Sequence, residues 1–383
     1  MRVVHSTNVW LSQTMTWLHT QVGSLPSRVE SWVVCDRVQN LDQFPVGNLV
    51  TLDRDGWLWR ALGSRSWTVA KLRHDYLLKQ TLGSDGRSLL HSHFGDRGWS
   101  NGDLARRSRV PHVVTFYGYD VSRLPYIDVR WRERYRKLFD TADLFLCEGP
   151  HLAKCLVDLG CPGSKVKVHH LGVDLARVCY RPRVWRSGET LRVLIAGTFV
   201  EKKGIPDAVM ALGRMRRRTP LQVVIIGDSN GQERSQIEKR RIMQAIADAG
   251  LSSVTQVLGF QPHEVLLRIA HECHVFLSPS VTASDGDTEG GAPVSVIEMA
   301  ATGMPVVSTT HCDIPEVLED GVTGWLAAEH DVDGLEERLC WLIDNPERWG
   351  AMVAAARRHI EAEFDAVAQG ARLGGIYESM GGG

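Results

Sequence analysis

The chain of 383 residues predicts an α/β protein built from two doubly wound, parallel-sheet domains. Three observations carry this. Short apolar runs alternate with segments of helical period through the second half. The first half repeats the alternation with more interruption. The length exceeds one average domain and suits about two, each able to bury a core. Near-continuous apolar strands that alternate with helices point to parallel sheets covered on both faces.

In chain order, the first half offers strands at RVVHST (2–7), SWVVCDRV (31–38), SLLHSHFG (88–95), HVVTFYG (112–118), LFLCEG (144–149) and KVKVHHLG (165–172). HLAKCLVDLG (151–160) is a helix between the last two, with Gly160 placed to end it. Residues 176–190 break both periodicities and are expected to be the linker. The second half then reads strand 191–199, helix 205–218, strand 221–228, a polar helix to Gly250, and strand 254–260. It continues with helix 263–272, strand 274–280, helix 293–302, strand 304–309 and helices near 333–344 and 346–363. The expected domains are 1–180 and 190–365, with 366–383 packing back on the first. The segments 95–101, 118–123, 197–204, 228–231 and 285–292 are read as strand-following loops. They are expected to face a central cleft, since open α/β sheets bind ligands beyond the carboxyl ends of their strands.

Composition excludes several classes. Formal net charge is −1, so no global field recruits nucleic acid. No stretch approaches the ~18 apolar residues of a membrane span. The start, MRVVHSTNVWLSQTMTW, lacks the pattern of a signal peptide. The eight cysteines form no CxxC pair and read as reduced apolar residues of a cytoplasmic protein. His91 and His93 share one strand face, and a polar or core role is favoured over metal. GxGxxG after a strand, GxxxxGK[ST] and GxSxG are all absent, which argues against dinucleotide dehydrogenases, P-loop enzymes and α/β-hydrolases.

The most informative stretch is DGDTEGGAPVSVIEMAATGMP (285–305). Glu289 and Glu298 bracket a small-residue turn that enters an apolar helix. A helix start presents unpaired N–H groups and the positive end of its dipole, which suits phosphate. Gly290, Gly291 and Ala292 let a ligand approach the backbone, and carboxylates accept hydrogen bonds from sugar hydroxyls. A second element, GTFVEKKG (197–204), places Lys202 and Lys203 after the first strand of the second domain, where they suit a diphosphate. On residues alone, an ordinary Gly-rich cap and a solvated lysine pair stay open beside these readings.

GTFVEKKG, VVIIGD, VLGF, LSPS, the two-glutamate segment and TGMPVVSTTHCDIPEVLEDGVTGWL (302–326) together resemble retaining GT-B glycosyltransferases of family 4. The resemblance is greatest to the exopolysaccharide (colanic acid-type) subgroup and strongest over 191–330. LLHSHFG, VVTFYGYD and KVHHLGVD extend it into the first half. It implies transfer of a sugar from a nucleotide diphosphate sugar to a glycan or lipid-linked hydroxyl acceptor, with no cofactor or metal required. It implies Lys203 and Glu289 as the catalytic pair, with Lys202 assisting on the diphosphate. Glu298 would hold the ribose, and the amides from Gly291 to Val294 across Pro293 would meet phosphate or sugar oxygens. Gly197 and Thr198 would belong to the phosphate loop, and Gly259 and Phe260 would border the nucleobase. His93, Tyr117 and Asp120 would face the acceptor or the sugar.

The chain departs from the family pattern in four places. Residues 290–297 separate the glutamates, one more than usual. Thr198 stands where arginine is common, and Tyr117 where histidine is common. STNVWLSQT (6–14) replaces a Gly-rich loop. A sugar-nucleotide epimerase or hydrolase, or a non-catalytic nucleotide-sugar-binding module, is the alternative reading. VRWRERYRK (129–137) and WLWRAL (57–62) raise peripheral contact with the inner face of a membrane, against the plainer reading of a solvated helix face.

Overall fold

The computed structural model describes residues 1–12, 14–52, 67–83 and 88–381. It divides into two units, 1–172 with 366–383, and 173–365.

In the first unit seven parallel strands are ordered β3-β2-β1-β4-β5-β6-β7. They are β1 Arg2–Trp10, β2 Glu30–Val38, β3 Leu49–Thr51, β4 Ser88–His93, β5 His112–Phe116, β6 Leu144–Cys147 and β7 Val166–Val168. Strand alternation sends Leu90 to one face, where helices Trp67–Leu82 and Gly95–Ser108 cover it. Leu89 goes to the other face, against Leu373, Ile376 and Tyr377 of the last helix, Ala366–Gly381. Helix 95–108 sits tight on β5 because Gly95 and Gly98 carry no Cβ. One added at Gly98 would lie 2.6 Å from a Val114 methyl.

The second unit has six parallel strands ordered β10-β9-β8-β11-β12-β13. They are β8 Leu191–Ala196, β9 Leu221–Ile226, β10 Thr255–Val257, β11 Val275–Ser278, β12 Val306–Thr309 and β13 Trp325–Ala327. Val193 and Ile195 pack on one face with helices Ile205–Met215, Glu233–Asp248 and Val332–Asp344. Leu194, Val224 and Ile226 pack on the other with His263–Ala270, Val294–Ala301 and Trp349–Glu363. Each such fully buried aliphatic side chain contributes about 1.5–3 kcal/mol.

Four expectations are corrected. Residues 95–101 are the opening turns of a helix rather than a loop, and 118–123 likewise hold a one-turn helix, Tyr119–Ser122. Residues 176–190 belong to the second unit rather than to a linker. Arg183 is buried there and donates to the carbonyls of Cys273, Ala270 and Thr302. β1 runs on to Trp10, and this continuation of the strand stands where the Gly-rich loop is missing. The short edge strands β3 and β13 went unread in the sequence.

Candidate functional site

Both sheets reverse strand order once, and in the second unit the reversal lies between β8 and β11. Ligands of such sheets bind outside the carboxyl ends at that point. The two loops that leave there are 197–204 and 279–293. Gly204 joins them closely. It has φ +59, and a Cβ would come within 1.8 Å of the Pro279 carbonyl oxygen, so only glycine fits. The Val281 amide donates to the Lys202 carbonyl at 2.9 Å. A Cβ on Gly197 would meet the Lys203 stem at 3.3 Å, so that stem lies directly over the glycine.

This packing delivers Lys203 Nζ to Glu289 Oε1 at 2.8 Å, with the two side chains 19% and 8% exposed. Ser280 Oγ donates to the same oxygen at 2.9 Å. Burial alone would raise the Glu289 pKa, but the charges of Lys203 and Lys202 outweigh it and hold the carboxyl at about 2. The Glu289 amide donates to His311 Nε2 at 3.1 Å, and His311 Nδ1 lies 2.6 Å from Glu329 Oε1. Nε2 is therefore the acceptor and Nδ1 carries the proton, which fixes the imidazole behind Glu289. His311, Glu329 and Ser280 were not singled out from the sequence. His311 lies within the quoted 302–326 tract, but nothing local ties it to Glu289, 22 residues away.

Lys202 is placed differently from Lys203. Its ammonium donates to Asp287 Oδ1 at 3.2 Å and to the Thr288 carbonyl at 2.7 Å. The buried Asp287 also accepts from Arg234 Nη1 at 3.2 Å. Lys202 thus tethers the 285–292 loop, and Arg234, at the start of its helix, clamps the same carboxylate. Position in sequence made the two lysines look equivalent; the partner at 287 separates them.

Glu298 lies in helix 294–301 and is 7% exposed, with His263 Nε2 2.8 Å from its Oε1. Burial lowers the His263 pKa, but the Glu298 hydrogen bond and charge outweigh it, and the net direction is up. The helix has Pro293 at its N-cap position, whose side chain offers no capping bond to the first amides. Gly290, at φ +80, makes the turn before it, and Gly291, Ala292 and Val294 complete the approach. Thr198 follows Gly197 at the exit of β8. Gly259, at φ +69, accepts from the Gly227 amide at 2.9 Å, and the adjacent Phe260 is 37% exposed.

The first-unit candidates turn inward. Asp120 is fully buried. Its Oδ2 accepts from the Gly95 amide at 2.9 Å, and its Oδ1 from the amides of Tyr117 and Gly118 at 3.1 and 3.0 Å. Burial pushes its pKa up to about 7 against these amides. It ties two strand-end turns together. His93 is likewise buried, with Nδ1 2.6 Å from the Tyr117 hydroxyl and Nε2 3.0 Å from His5 Nδ1. Burial holds His93 well below, and Tyr117 well above, the ordinary values. His5, His91 and His93 bring ring nitrogens within 4.8 Å of one another. The His91 nitrogens are spent on the Tyr377 and Thr115 hydroxyls, at 2.7 and 2.6 Å.

VRWRERYRK is helical from Arg130, with Tyr135 buried and Arg130, Arg132, Arg136 and Lys137 exposed. WLWRAL lies outside the described residues. Among the described residues no helix is long and apolar enough to cross a membrane.

A doubly wound parallel sheet with a lysine–glutamate pair at its reversal point defines the class: a Rossmann-like α/β protein with a site suited to phosphate and hydroxyl groups. Comparison with known proteins places the chain within that class. The Glycosyltransferase Family 4 model matches residues 16–177, and the model of Glycosyl transferases group 1 matches 182–359. The amylovoran biosynthesis glycosyltransferase AmsK of Erwinia amylovora is 34% identical over 254 residues, 66% of this chain and 60% of that protein. A protein of Escherichia coli described as a colanic acid biosynthesis glycosyltransferase, WcaL, is 30% identical over 293 residues, 76% of this chain and 70% of that one. Among solved structures, Anabaena HepE in complex with UDP and glucose superimposes with a TM-score of 0.78 at 15% identity, over 99% of this chain and 100% of that one. The chain belongs to this family of glycosyltransferases, and the two Rossmann-like units are those of its GT-B fold.

Proposed function

We propose that the protein moves a sugar from a nucleotide diphosphate sugar to a hydroxyl acceptor, with retention at the anomeric carbon, in the synthesis of an exopolysaccharide or other cell-surface glycan. One observation carries the reading: the buried Lys203–Glu289 pair stands where the sheet order reverses, on loops that Gly204 locks together. The relatives AmsK and WcaL support the pathway class, and the UDP held by HepE supports the donor class.

In this reading Lys203, which here balances Glu289, shares its charge with the diphosphate when the donor binds. Lys203 and the uncapped amides of helix 294–301 stabilise the charge that grows on the leaving group. Glu289 accepts from hydroxyls of the donor sugar. Glu298, steadied by His263, accepts from the ribose, and Phe260 borders the base. The acceptor oxygen bonds to the anomeric carbon as the bond to phosphate breaks, and the acceptor proton passes to the departing phosphate oxygen on the same face.

The acceptor is a glycan or a lipid-linked hydroxyl. The exposed cations of helix 130–141, beside exposed Ile127 and Val129, support contact with an anionic membrane surface. Co-flotation with vesicles containing anionic lipid is the expected result, and a protein left at the bottom of the gradient rejects that contact.

A thermal-shift screen of UDP-, GDP- and ADP-sugars tests the donor assignment. One donor at about 100 times its Kd adds about 2.7 kcal/mol of stability. Proton NMR of the product then reads the anomer. If no nucleotide sugar shifts the melt, the reading fails.

A further inference from the structure

Glu289 and Glu298 are placed by different means. Glu298 lies inside helix 294–301, whose backbone bonds fix it. Glu289 stands on the turn before Gly290, at φ +80, and its spacing to Glu298 exceeds the family pattern by one residue. The helix therefore does not set its position. Two residues from neighbouring strands do. His311 follows β12 and Glu329 follows β13, the next two strands beyond β11 in the sheet. The buried His311 accepts the Glu289 amide on Nε2 at 3.1 Å and sets Nδ1 2.6 Å from Glu329 Oε1. Glu329 in turn accepts the Thr282 amide on Oε2 at 2.6 Å. One imidazole–carboxylate pair thus grips the segment 282–289 at both ends. The Cys312 thiol, 3.1 Å from Nε2, closes that side of the ring. Lys203 and Ser280 both bond Oε1 of Glu289. Among the described residues no bond falls on Oε2, so that oxygen is left for a ligand.

We propose that His311, held by Glu329, is a positioning residue for the donor sugar, an assignment that rests on the transferase reading above. It sets the backbone at 289 so that the Glu289 carboxylate meets a sugar hydroxyl, while the nucleotide half of the site is built without it. A carboxylate selects a hydroxyl only where its oxygen is held within about 0.5 Å of the productive place. Gly290 and Gly291 leave the turn free to drift, and the imidazole removes that freedom. A neutral imidazole suits the task because it presents one acceptor and one donor at a fixed angle; lysine and arginine offer no acceptor. A carboxamide also carries both, so glutamine is the conservative replacement. The ribose carboxylate Glu298 has its own partner, His263, and shares none with His311.

The test is titration calorimetry on the full chain with two ligands, the nucleotide sugar chosen by the thermal screen and its free nucleoside diphosphate. His311→Phe is expected to weaken the nucleotide sugar tenfold or more and the free nucleotide less than threefold. His311→Gln, which keeps an acceptor for the Glu289 amide, is expected to recover most of the loss. Lys203→Ala, by contrast, should weaken both ligands. Should His311→Phe not fold, Glu329→Ala carries the same test from a less buried position, with the same split at about threefold or more. Equal weakening of the two ligands, weakening of neither, or Phe and Gln variants that bind alike overturns the proposal and leaves the donor reading standing. A wild type that binds no nucleotide sugar overturns both.

Discussion

Lys203 owes its place to two glycines and one carboxylate. Gly197 leaves room for its stem, Gly204 closes the loop behind it, and Glu289 takes its ammonium. The pair links stability to pH with a definite sign. The Glu289 pKa is held at about 2 in the folded protein, below the ordinary 4.5. Its contribution is therefore complete above about pH 4.5 and is lost as pH falls towards 2. Urea melts of wild type and Glu289→Gln should differ by a constant amount from pH 5 to 7. The gap should narrow by up to about 3 kcal/mol on acidification. A gap that does not change with pH would remove the Lys203 ion pair as its cause. At this scale the sequence was informative for Lys203, Glu289 and Glu298, whose types and positions after strands suggest phosphate and hydroxyl chemistry. It said nothing of what Lys202 and Asp120 touch in the fold. Their partners, Asp287 and the amides of Gly95, Tyr117 and Gly118, are set by how turns fold back, and residue type alone does not reveal that.

The decisive element is the loop from Gly197 to Gly204 against the end of β11. Gly204→Ala puts a methyl group into the Pro279 carbonyl and forces an L residue into φ +59. It should cost more than about 2 kcal/mol and weaken nucleotide-sugar binding. Gly350→Ala is the matched control. It lies in helix 349–363 with nothing within 4 Å of the added carbon, so it should be neutral or stabilise by up to about 1 kcal/mol. Differential scanning calorimetry separates the two, and equal melting temperatures would contradict the packing described. Most strands and helices were legible because apolar strand runs alternate with segments of helical period along the chain. β3, β13 and the early start of helix 95–108 were not. The first two are short strands at sheet edges, and Gly95 and Gly98 read as loop residues until their closeness to β5 explains them.

Across the whole molecule, the chain leaves its first unit at residue 172 and re-enters it at 366. The returning helix 366–381 covers Leu89, Val113 and Leu146 with Leu373, Ile376 and Tyr377. Removing it uncovers that sheet face and leaves His91 without the Tyr377 hydroxyl. Burial of three such side chains is worth about 5–9 kcal/mol, comparable to the stability of a domain. A chain ending at Asp365 should therefore lose protease resistance over 1–172 and keep it over 173–365. Uniform resistance throughout would contradict this dependence. Central to the proposed transfer is Lys203 holding the diphosphate of the donor. Titration calorimetry of wild type and Lys203→Ala with the nucleotide sugar chosen by the thermal screen measures that directly. Saturable binding to the wild type and at least tenfold weaker binding to the variant are expected; equal affinity in the two would remove Lys203 from donor binding.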